Sequence, residues 1–147
     1  SGRNIRSLDG LQFFTGLTEL NCSRNPLYAQ PLPLFGNKNL EVLDIQHCDL
    51  SELPIGHNTR LRVLNCKENR LDKLIVGTAT ELEVLDCKGN HIRRLEVSNN
   101  TKLRKLVCSQ NFLVYLNLRQ NKELLTLKVS SMPCPGSGFW NWTETVI

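Results

Sequence analysis

The chain has 147 residues, of which 40% are hydrophobic, and a formal net charge of +4. This length fits one domain, and no apolar run reaches the 18 or so residues that would predict a membrane span. Lysine and arginine are scattered among 14 acidic residues, so the charge pattern does not indicate a nucleic-acid partner. The polar first residues show no signal-peptide pattern, which leaves secretion open because a mature domain looks the same.

Residues 1–16 predict an N-terminal cap. Ile5 and Leu8 have the spacing of the second half of a repeat that recurs further along the chain. The end of a repeat array must shield its apolar face from water, and terminal repeats are atypical for that reason. We expect Phe13 or Phe14 to close the open end of the core.

A 21-residue pattern begins at Leu61 and returns at Leu82, Leu103 and Leu124. The full copies read Leu-x-x-Leu-x-Cys-x-x-Asn-x-Leu-x-x-Leu, with one Ile for Leu. A fixed period with this Leu and Asn spacing is typical of leucine-rich repeats. Two earlier copies start at Leu17 and Leu40, the first lengthened by two residues in a proline-rich stretch that we expect to bulge from the solenoid.

The pattern predicts a horseshoe-shaped solenoid of the right-handed β-α superhelix class for residues 17–129, with about five full coils and a terminal strand. Each coil contributes one strand to a parallel β-sheet on the concave face. The returning segments are too short for an ordinary helix, so we expect an extended or irregular convex side with little helix. Residues 130–147 predict a C-terminal cap in which Trp140 and Trp142 cover the last coil, and Cys134 lies outside the repeat pattern.

Two repeat positions predict structural ladders that run through the interior. Their members are Cys22, Cys66, Cys87 and Cys108 at one position, and Asn25, Asn69, Asn90 and Asn111 at the other. Neighbouring coils lie ~4.8 Å apart, which permits disulfides. Cys22, however, faces Ile45 and has no predicted partner, so we expect reduced, buried thiols. Cys48 replaces an asparagine, and no cysteine or histidine spacing predicts a metal site.

The stretch from Leu82 to Asn100 carries the repeat most fully, and Ile5 to Leu11 is similar to the half-repeat that opens such arrays. Both resemble the 21-residue leucine-rich repeats of bacterial surface proteins of the internalin J type, which contain a cysteine ladder. Ile45, Cys48 and the two-residue insertion depart from that pattern. The resemblance implies an extracellular or cell-surface role in adhesion or binding.

Side chains alternate along a strand, so three columns of residues point outward on the concave face. A valine strip lies beside alternating Asn and Asp, with lysines on the far side. The candidate ligand-binding residues are Val42, Asp44, Val63, Asn65, Lys67, Val84, Asp86, Lys88 and Lys105. The valines fit either plain strand propensity or a protein-binding surface. At the start of the strands, Arg62 and Arg104 bracket Glu83, which predicts cross-coil ion pairs.

The sequence therefore favours a non-catalytic, monomeric module, without a cofactor, that binds a host or bacterial surface protein. The alternatives are a structural spacer in a larger surface protein, or a glycan-binding module that uses terminal aromatic residues. No motif of an enzyme is present, and the three histidines occupy different repeat positions. Asp44 and Asp86 share a column, but an open sheet offers no cleft to raise the pKa of one acid.

Overall fold

The computed structural model describes residues 2–28 and 31–130, together with the backbone of a short strand at 145–146. Nine strands are present in these ranges. They are β1 (Glu19–Asn21), β2 (Val42–Asp44), β3 (Val63–Asn65), β4 (Leu74–Ile75), β5 (Val84–Asp86), β6 (Leu95–Glu96), β7 (Lys105–Val107), β8 (Thr126–Val129) and β9 (Thr145–Val146). Two 3-10 turns lie at Leu11–Phe13 and Leu34–Gly36, and residues 2–28 and 31–130 contain no α-helix.

Seven of these strands form one sheet in the order β1-β2-β3-β5-β7-β8-β9. All pairs are parallel except the last, in which β9 runs antiparallel to β8. From β2 onward, paired residues of the parallel strands differ by 21 in number, as in Val63 with Val84. The predicted fold class, a leucine-rich-repeat solenoid with one strand per coil and little helix, is confirmed.

A second, smaller sheet lies on the returning side of the coils. Strand β4 pairs in parallel with β6, and an isolated bridge joins Leu95 to Leu116. These positions again follow the 21-residue period. The returning side is therefore extended, because a coil of this length leaves no room for a helix.

The core consists of inward-facing leucines stacked between the two sides of each coil. Leu43, Leu64, Leu85 and Leu106 come from the centres of four neighbouring strands, and all are fully buried. Full burial of one leucine contributes roughly 1.5–3 kcal/mol. Since each leucine packs mainly on its own coil and the two adjacent ones, stability accumulates coil by coil.

The cysteine ladder lies in the same core, one position after the strand. All five cysteines in the described ranges are buried free thiols, as predicted. The expectation that Cys22 lacks a thiol neighbour is wrong. The Sγ of Cys48 donates a hydrogen bond to the Cys22 carbonyl oxygen at 3.2 Å. A hydrogen bond between the two thiols, together with burial, raises the pKa of Cys22.

The asparagine ladder ties consecutive coils together where the chain leaves the sheet. Asn69 Nδ2 donates to the carbonyl oxygens of Ile45 and Cys66, both at 2.9 Å. Its Oδ1 accepts from the N–H groups of Cys48 and Leu50, at 3.1 and 3.0 Å. One buried amide thus satisfies backbone groups of two coils, which explains why the repeat requires asparagine here.

In the second coil, Cys48 performs part of this task. Its thiol donates to the Cys22 carbonyl, as an asparagine amide would, but it offers no acceptor for the N–H of Leu27. The Cys48 backbone carbonyl accepts that N–H instead, at 3.0 Å. The cysteine is therefore structural, as the repeat pattern predicted.

The N-terminal segment closes the first coil in a different way from the one expected. Phe13 and Phe14 do not plug the core, because their exposed fractions are 78% and 65%. Leu8 and Leu11 pack against the core instead. The sequence could not distinguish these residues, because the 3-10 turn at Leu11–Phe13 rotates the two phenylalanines away from the interior.

The proline-rich part of the first long coil is also more ordered than a simple bulge. Leu32 and Leu34 are buried in the core, and Leu34 begins the second 3-10 turn. The residues at 29 and 30 lie outside the described ranges, as do Cys134, Trp140 and Trp142. The predicted role of the two tryptophans therefore remains a prediction.

Candidate functional site

The outward face of the seven-stranded sheet, called here the concave face as in other leucine-rich repeats, carries the predicted valine strip. Val42, Val63 and Val84 are direct neighbours in the strand register, and each is half-buried. Three adjacent β-branched side chains therefore form a continuous apolar strip. Such a strip, rimmed by charge, is suited to contact with a protein.

The column of Asp44, Asn65 and Asp86 also has a structural role that the sequence pattern did not indicate. Asp44, Asn65 and Asp86 each direct Oδ1 to the backbone N–H two residues further on, at 3.2, 3.4 and 3.1 Å. These hydrogen bonds cap the strand ends as Asx turns. Only the hydrogen-bonding atoms of these side chains that the turn does not use are available to a ligand. The three residues lie on the predicted face, but they cannot be replaced without effect on the turn.

A turn in the left-handed region follows each of these caps. Arg24, His47, Glu68, Gly89 and Gln110 occupy the same repeat position, with φ between 54° and 65°. Gly89 alone suits this conformation without strain. The sharp turn brings His47 and Glu68 to the rim of the concave face, where the sequence analysis had not placed them.

Lysines converge in a groove at the strand-end side of this face. Lys67, Lys88 and Lys105 from the predicted set line an open groove of about 380 Å³, together with Lys128, which belongs to an outward column but is not among the predicted binding residues. The repeat spacing alone places Lys128 on this face, since it lies two repeats after Asp86 in the same column. Glu68 and Asp86 are the two carboxylates among the lining residues, so the groove has a net charge of +2 with His47 neutral.

Two further positions of this groove are less exposed than the strand alternation predicts. Val107 and Ser109 belong to the outward columns, yet their exposed fractions are only 6% and 4%. They form part of the groove lining beneath the lysines. The contact surface available to a ligand therefore consists of the valine strip and the lysine side chains.

Several charges at the strand starts form cross-coil ion pairs. Arg62 contacts Glu83 at 2.9 Å and Glu41 at 3.8 Å, and the Arg62 guanidinium lowers the pKa of Glu83. Arg104 pairs with Glu123 rather than with Glu83. These contacts follow the predicted pattern of alternating charge at the strand starts, with this one change of partner.

The groove lysines differ from these residues. Among residues 2–28 and 31–130, no carboxylate forms an ion pair with Lys67, Lys88, Lys105 or Lys128. Backbone N–H groups around these lysines already donate hydrogen bonds within the fold. The N–H groups of Glu68 and Gly89, for example, donate to the carbonyls of Lys88 and Ser109. The groove thus presents four ammonium groups that form no ion pair within that part of the chain.

The buried thiols in the described ranges differ in acidity, since a hydrogen bond with the Cys22 thiol lowers the pKa of Cys48 to about 7. Within the described ranges, no group of three or more His, Cys, Asp or Glu side chains is placed to hold a metal ion. Burial raises the pKa of the Cys66 and Cys87 thiols and raises that of Cys108 to about 12. The ladder thiols are therefore protonated, which leaves them poor nucleophiles. No helix in the described part of the chain is long and apolar enough to cross a membrane.

A depression on the returning side provides a comparison for the concave groove. It has a volume of about 460 Å³ and lies beside the edge of β4. Its lining mixes Glu52 and Asp72 with Lys73 and the apolar Ile75. Charges of both signs alternate there, so this depression lacks the like-charged clustering of the concave groove.

Comparisons with known proteins support the same architecture. The family model for the leucine-rich repeat matches residues 39–57. The functional domain of internalin J from Listeria monocytogenes, described as including a cysteine ladder, is 35% identical with a TM-score of 0.72. The alignment covers 87% of this chain and 33% of that structure.

A leucine-rich-repeat protein of Leptospira interrogans is 25% identical with a TM-score of 0.73, over 82% of this chain and 33% of the other. Internalin F of Listeria monocytogenes, 20% identical, shares the fold with a TM-score of 0.67 over 90% of this chain and 37% of that one. No curated protein matches the chain in sequence. The chain spans about a third of the length of each of these three structures. The chain is a leucine-rich-repeat solenoid whose cysteine-ladder coils are similar to those of internalin J.

Proposed function

We propose that this domain is a non-catalytic recognition module that binds a protein on the concave face of its sheet. Leucine-rich-repeat folds suggest protein-binding modules, and proteins of this family are typically not enzymes. The observation that carries the proposal is the continuous strip of Val42, Val63 and Val84 beside uncompensated Lys67 and Lys88. An apolar centre with a charged rim is the usual composition of a recognition surface.

The similarity to internalin J also supports a role outside the cell, as a binding segment of a surface or secreted protein, and we propose that this segment acts as a monomer. Residues 1–16 and 130–147 then serve as the caps of the repeat array. Host and bacterial surface proteins are the partners to which such a segment has access. The ligand would contact the valines and lysines directly, while Asp44, Asn65 and Asp86 hold the strand ends in shape.

A matched pair of substitutions tests this proposal. Val63→Asp places a carboxylate in the middle of the strip, whereas Val114→Asp makes the same change at a position that is 85% exposed and lies off the sheet. Protein fragments displayed on phage are selected on the wild-type domain, and the enriched clones are then measured on both variants. We expect Val63→Asp to weaken binding at least tenfold, since it buries an unpaired charge in the contact, and Val114→Asp to leave it unchanged.

Circular dichroism and urea unfolding of both variants must show that they remain folded. A result in which no clone distinguishes Val63→Asp from Val114→Asp would contradict the proposal. It would favour the spacer function, in which the coils only separate other modules of a longer protein.

A further inference from the structure

We infer that the lysine groove recognises an acidic, extended segment of a partner protein, one that carries Asp or Glu side chains next to apolar ones. This inference rests on the recognition function proposed above and adds the chemical class of the ligand. The first step is charge. Four lysines face two carboxylates in one groove of about 380 Å³, and no ion pair within residues 2–28 and 31–130 neutralises any of the four.

One of the two carboxylates in the groove is also partly committed to the fold. Asp86 Oδ1 accepts the backbone N–H of Lys88. The second, Glu68, lies against the Cα of Gly89, where an added Cβ would approach its carboxylate carbon to 2.7 Å. Asp86 is thereby held at the strand end and Glu68 lies over Gly89, and neither forms an ion pair with a groove lysine within residues 2–28 and 31–130. An incoming anion therefore meets a positive surface.

The spacing of the lysines fits an extended peptide that crosses the strands. Lys67 and Lys128 lie in coils that are three repeats apart, or ~14 Å at the strand spacing. An extended chain covers that distance in about four residues, and its alternate side chains lie ~7 Å apart on one face. Acidic residues at alternate positions can thus each meet a lysine, whose long stem tolerates an inexact match.

The composition of the groove favours carboxylates on a protein over other polyanions. The lining residues include no arginine, which is the residue best suited to bidentate contact with phosphate or sulfate. The backbone N–H groups of Lys88, Gly89 and Gln110, which could have formed a phosphate-binding nest, already donate within the fold. None of the three outward columns contains an aromatic residue on which a sugar or a base could stack.

The neighbouring valine strip supplies the apolar half of the contact. Val84 is adjacent in register to Lys105, and Val63 lies two residues before Asn65 and four before Lys67. A partner segment that alternates acidic and apolar side chains can therefore place carboxylates on the lysines while its apolar residues reach the strip. A purely acidic chain would leave the strip uncovered.

The experiment uses fluorescein-labelled peptides of alternating Glu and Val, with Gln-Val and Lys-Val peptides of equal length as controls. We expect the Glu-Val peptide to bind the wild-type domain at least tenfold more tightly than the Gln-Val peptide. Affinity should fall roughly tenfold between about 0.1 M and about 0.5 M NaCl, because salt screens exposed charges. Equal binding of the Glu-Val and Gln-Val peptides would overturn the inference.

A charge-reversal pair tests the location. Lys67→Glu with Lys88→Glu changes the groove, whereas Lys38→Glu with Lys73→Glu makes the same change in net charge at exposed sites off the concave face. We expect the groove variant alone to lose the Glu-Val peptide. Equal loss in both variants would show an effect of net charge only and would contradict the inference. Binding of heparin in place of the peptide would also contradict it, in favour of an anionic polysaccharide.

The displayed fragments separate this inference from the proposed function. Clones that depend on Val63 and are enriched in Asp and Glu, with loss of binding to the Lys67 and Lys88 variant, would support both. Clones that depend on Val63 but are indifferent to the two lysines would overturn the acidic ligand and leave the recognition function standing. The absence of any clone that depends on Val63 would contradict both.

Discussion

At the scale of the residue, asparagine occupies two different environments in these coils. Asn69, at the strand end, uses both its amide nitrogen and its oxygen, with four backbone hydrogen bonds no longer than 3.1 Å. Asn100, on the returning side, donates to the carbonyls of Val76 and Ala79. Its Oδ1, however, has no hydrogen-bond partner among the described residues. In the coil before it, Ala79 occupies the equivalent position, so the chain already tolerates the loss of one such amide.

We therefore expect Asn69→Ala to destabilise the domain more than Asn100→Ala. Loss of Asn69 leaves buried donors and acceptors of two coils unsatisfied, at a cost of roughly 3 kcal/mol, whereas Asn100→Ala should cost roughly 1–2 kcal/mol. Urea unfolding of the two variants at neutral pH measures both values. If Asn100→Ala proves the more damaging substitution, the four hydrogen bonds of Asn69 do not stabilise the coils more than the two of Asn100.

The cysteine ladder predicts a loss of stability at alkaline pH. A free thiol ionises near pH 9, but burial raises the pKa of Cys108 to about 12 in the folded chain. Between these values the unfolded state binds fewer protons than the folded state, so stability falls as pH rises. Each such thiol contributes at most ~1.4 kcal/mol per pH unit.

Urea unfolding of the wild type and of Cys108→Ala at about pH 8 and about pH 10 isolates this contribution. The alanine variant is expected to be less stable at pH 8, because it loses buried volume, yet to lose less stability on the change to pH 10. Parallel losses in the two proteins would show that Cys108 does not remain protonated in the folded state. Tyrosine and lysine titration affects both proteins equally and cancels in the comparison.

The sequence predicts these ladders well because their residue types recur at a fixed spacing. The strand-end caps were harder to predict, since Asp44, Asn65 and Asp86 occupy outward positions and resemble ligand contacts until their Oδ1 hydrogen bonds are seen. The proximity of Lys128 to Lys88 depends on the register across three coils, together with the sharp left-handed turns. A single-sequence pattern carries the spacing but not the direction of a long side chain.

At the scale of the element, the two 3-10 turns at Leu11–Phe13 and Leu34–Gly36 form the N-terminal closure. They approach so closely that a Cβ on Gly36 would lie 1.8 Å from the carbonyl oxygen of Gln12. Asn37 reinforces the contact, because its Nδ2 donates to the carbonyls of Leu11 and Phe14. The first segment is thus held by backbone packing rather than by an aromatic plug.

Gly36→Ala should accordingly destabilise the closure. The added methyl group meets rigid backbone, so the two turns must separate, and we expect a loss of roughly 1–3 kcal/mol. Gly56→Ala is the matched control, because nothing lies within 4 Å of its added Cβ and its φ is not in the left-handed region. That substitution should leave stability unchanged or raise it slightly. Thermal unfolding distinguishes them, and similar melting temperatures for both variants would show that the two turns do not pack in this way.

At the scale of the whole molecule, the solenoid behaves as a stack of interchangeable coils. The strand register is the same from β3 to β5 as from β5 to β7. The core residues of the three coils therefore occupy equivalent positions of the 21-residue repeat. The period made this part of the fold predictable. The two ends were less so, because Phe13 and Phe14 belong to no repeat and their exposure depends on the path of one short turn. Periodicity determines the middle of a solenoid, while local packing determines its ends.

Interchangeable coils predict that one whole coil can be removed. Deletion of residues 82–102 joins Glu81 to Leu103, which takes the place of its equivalent Leu82, and places Cys66 next to Cys108 in the ladder. We expect this variant to fold, with a free energy of unfolding lower by about 1–3 kcal/mol and a denaturant m-value lower by roughly a fifth, because less surface is buried.

Deletion of residues 82–91 removes half a coil and breaks the register, so that variant should not fold cooperatively. Circular dichroism and urea unfolding compare the two. Failure of the whole-coil deletion to fold would mean that contacts beyond nearest neighbours hold the solenoid together.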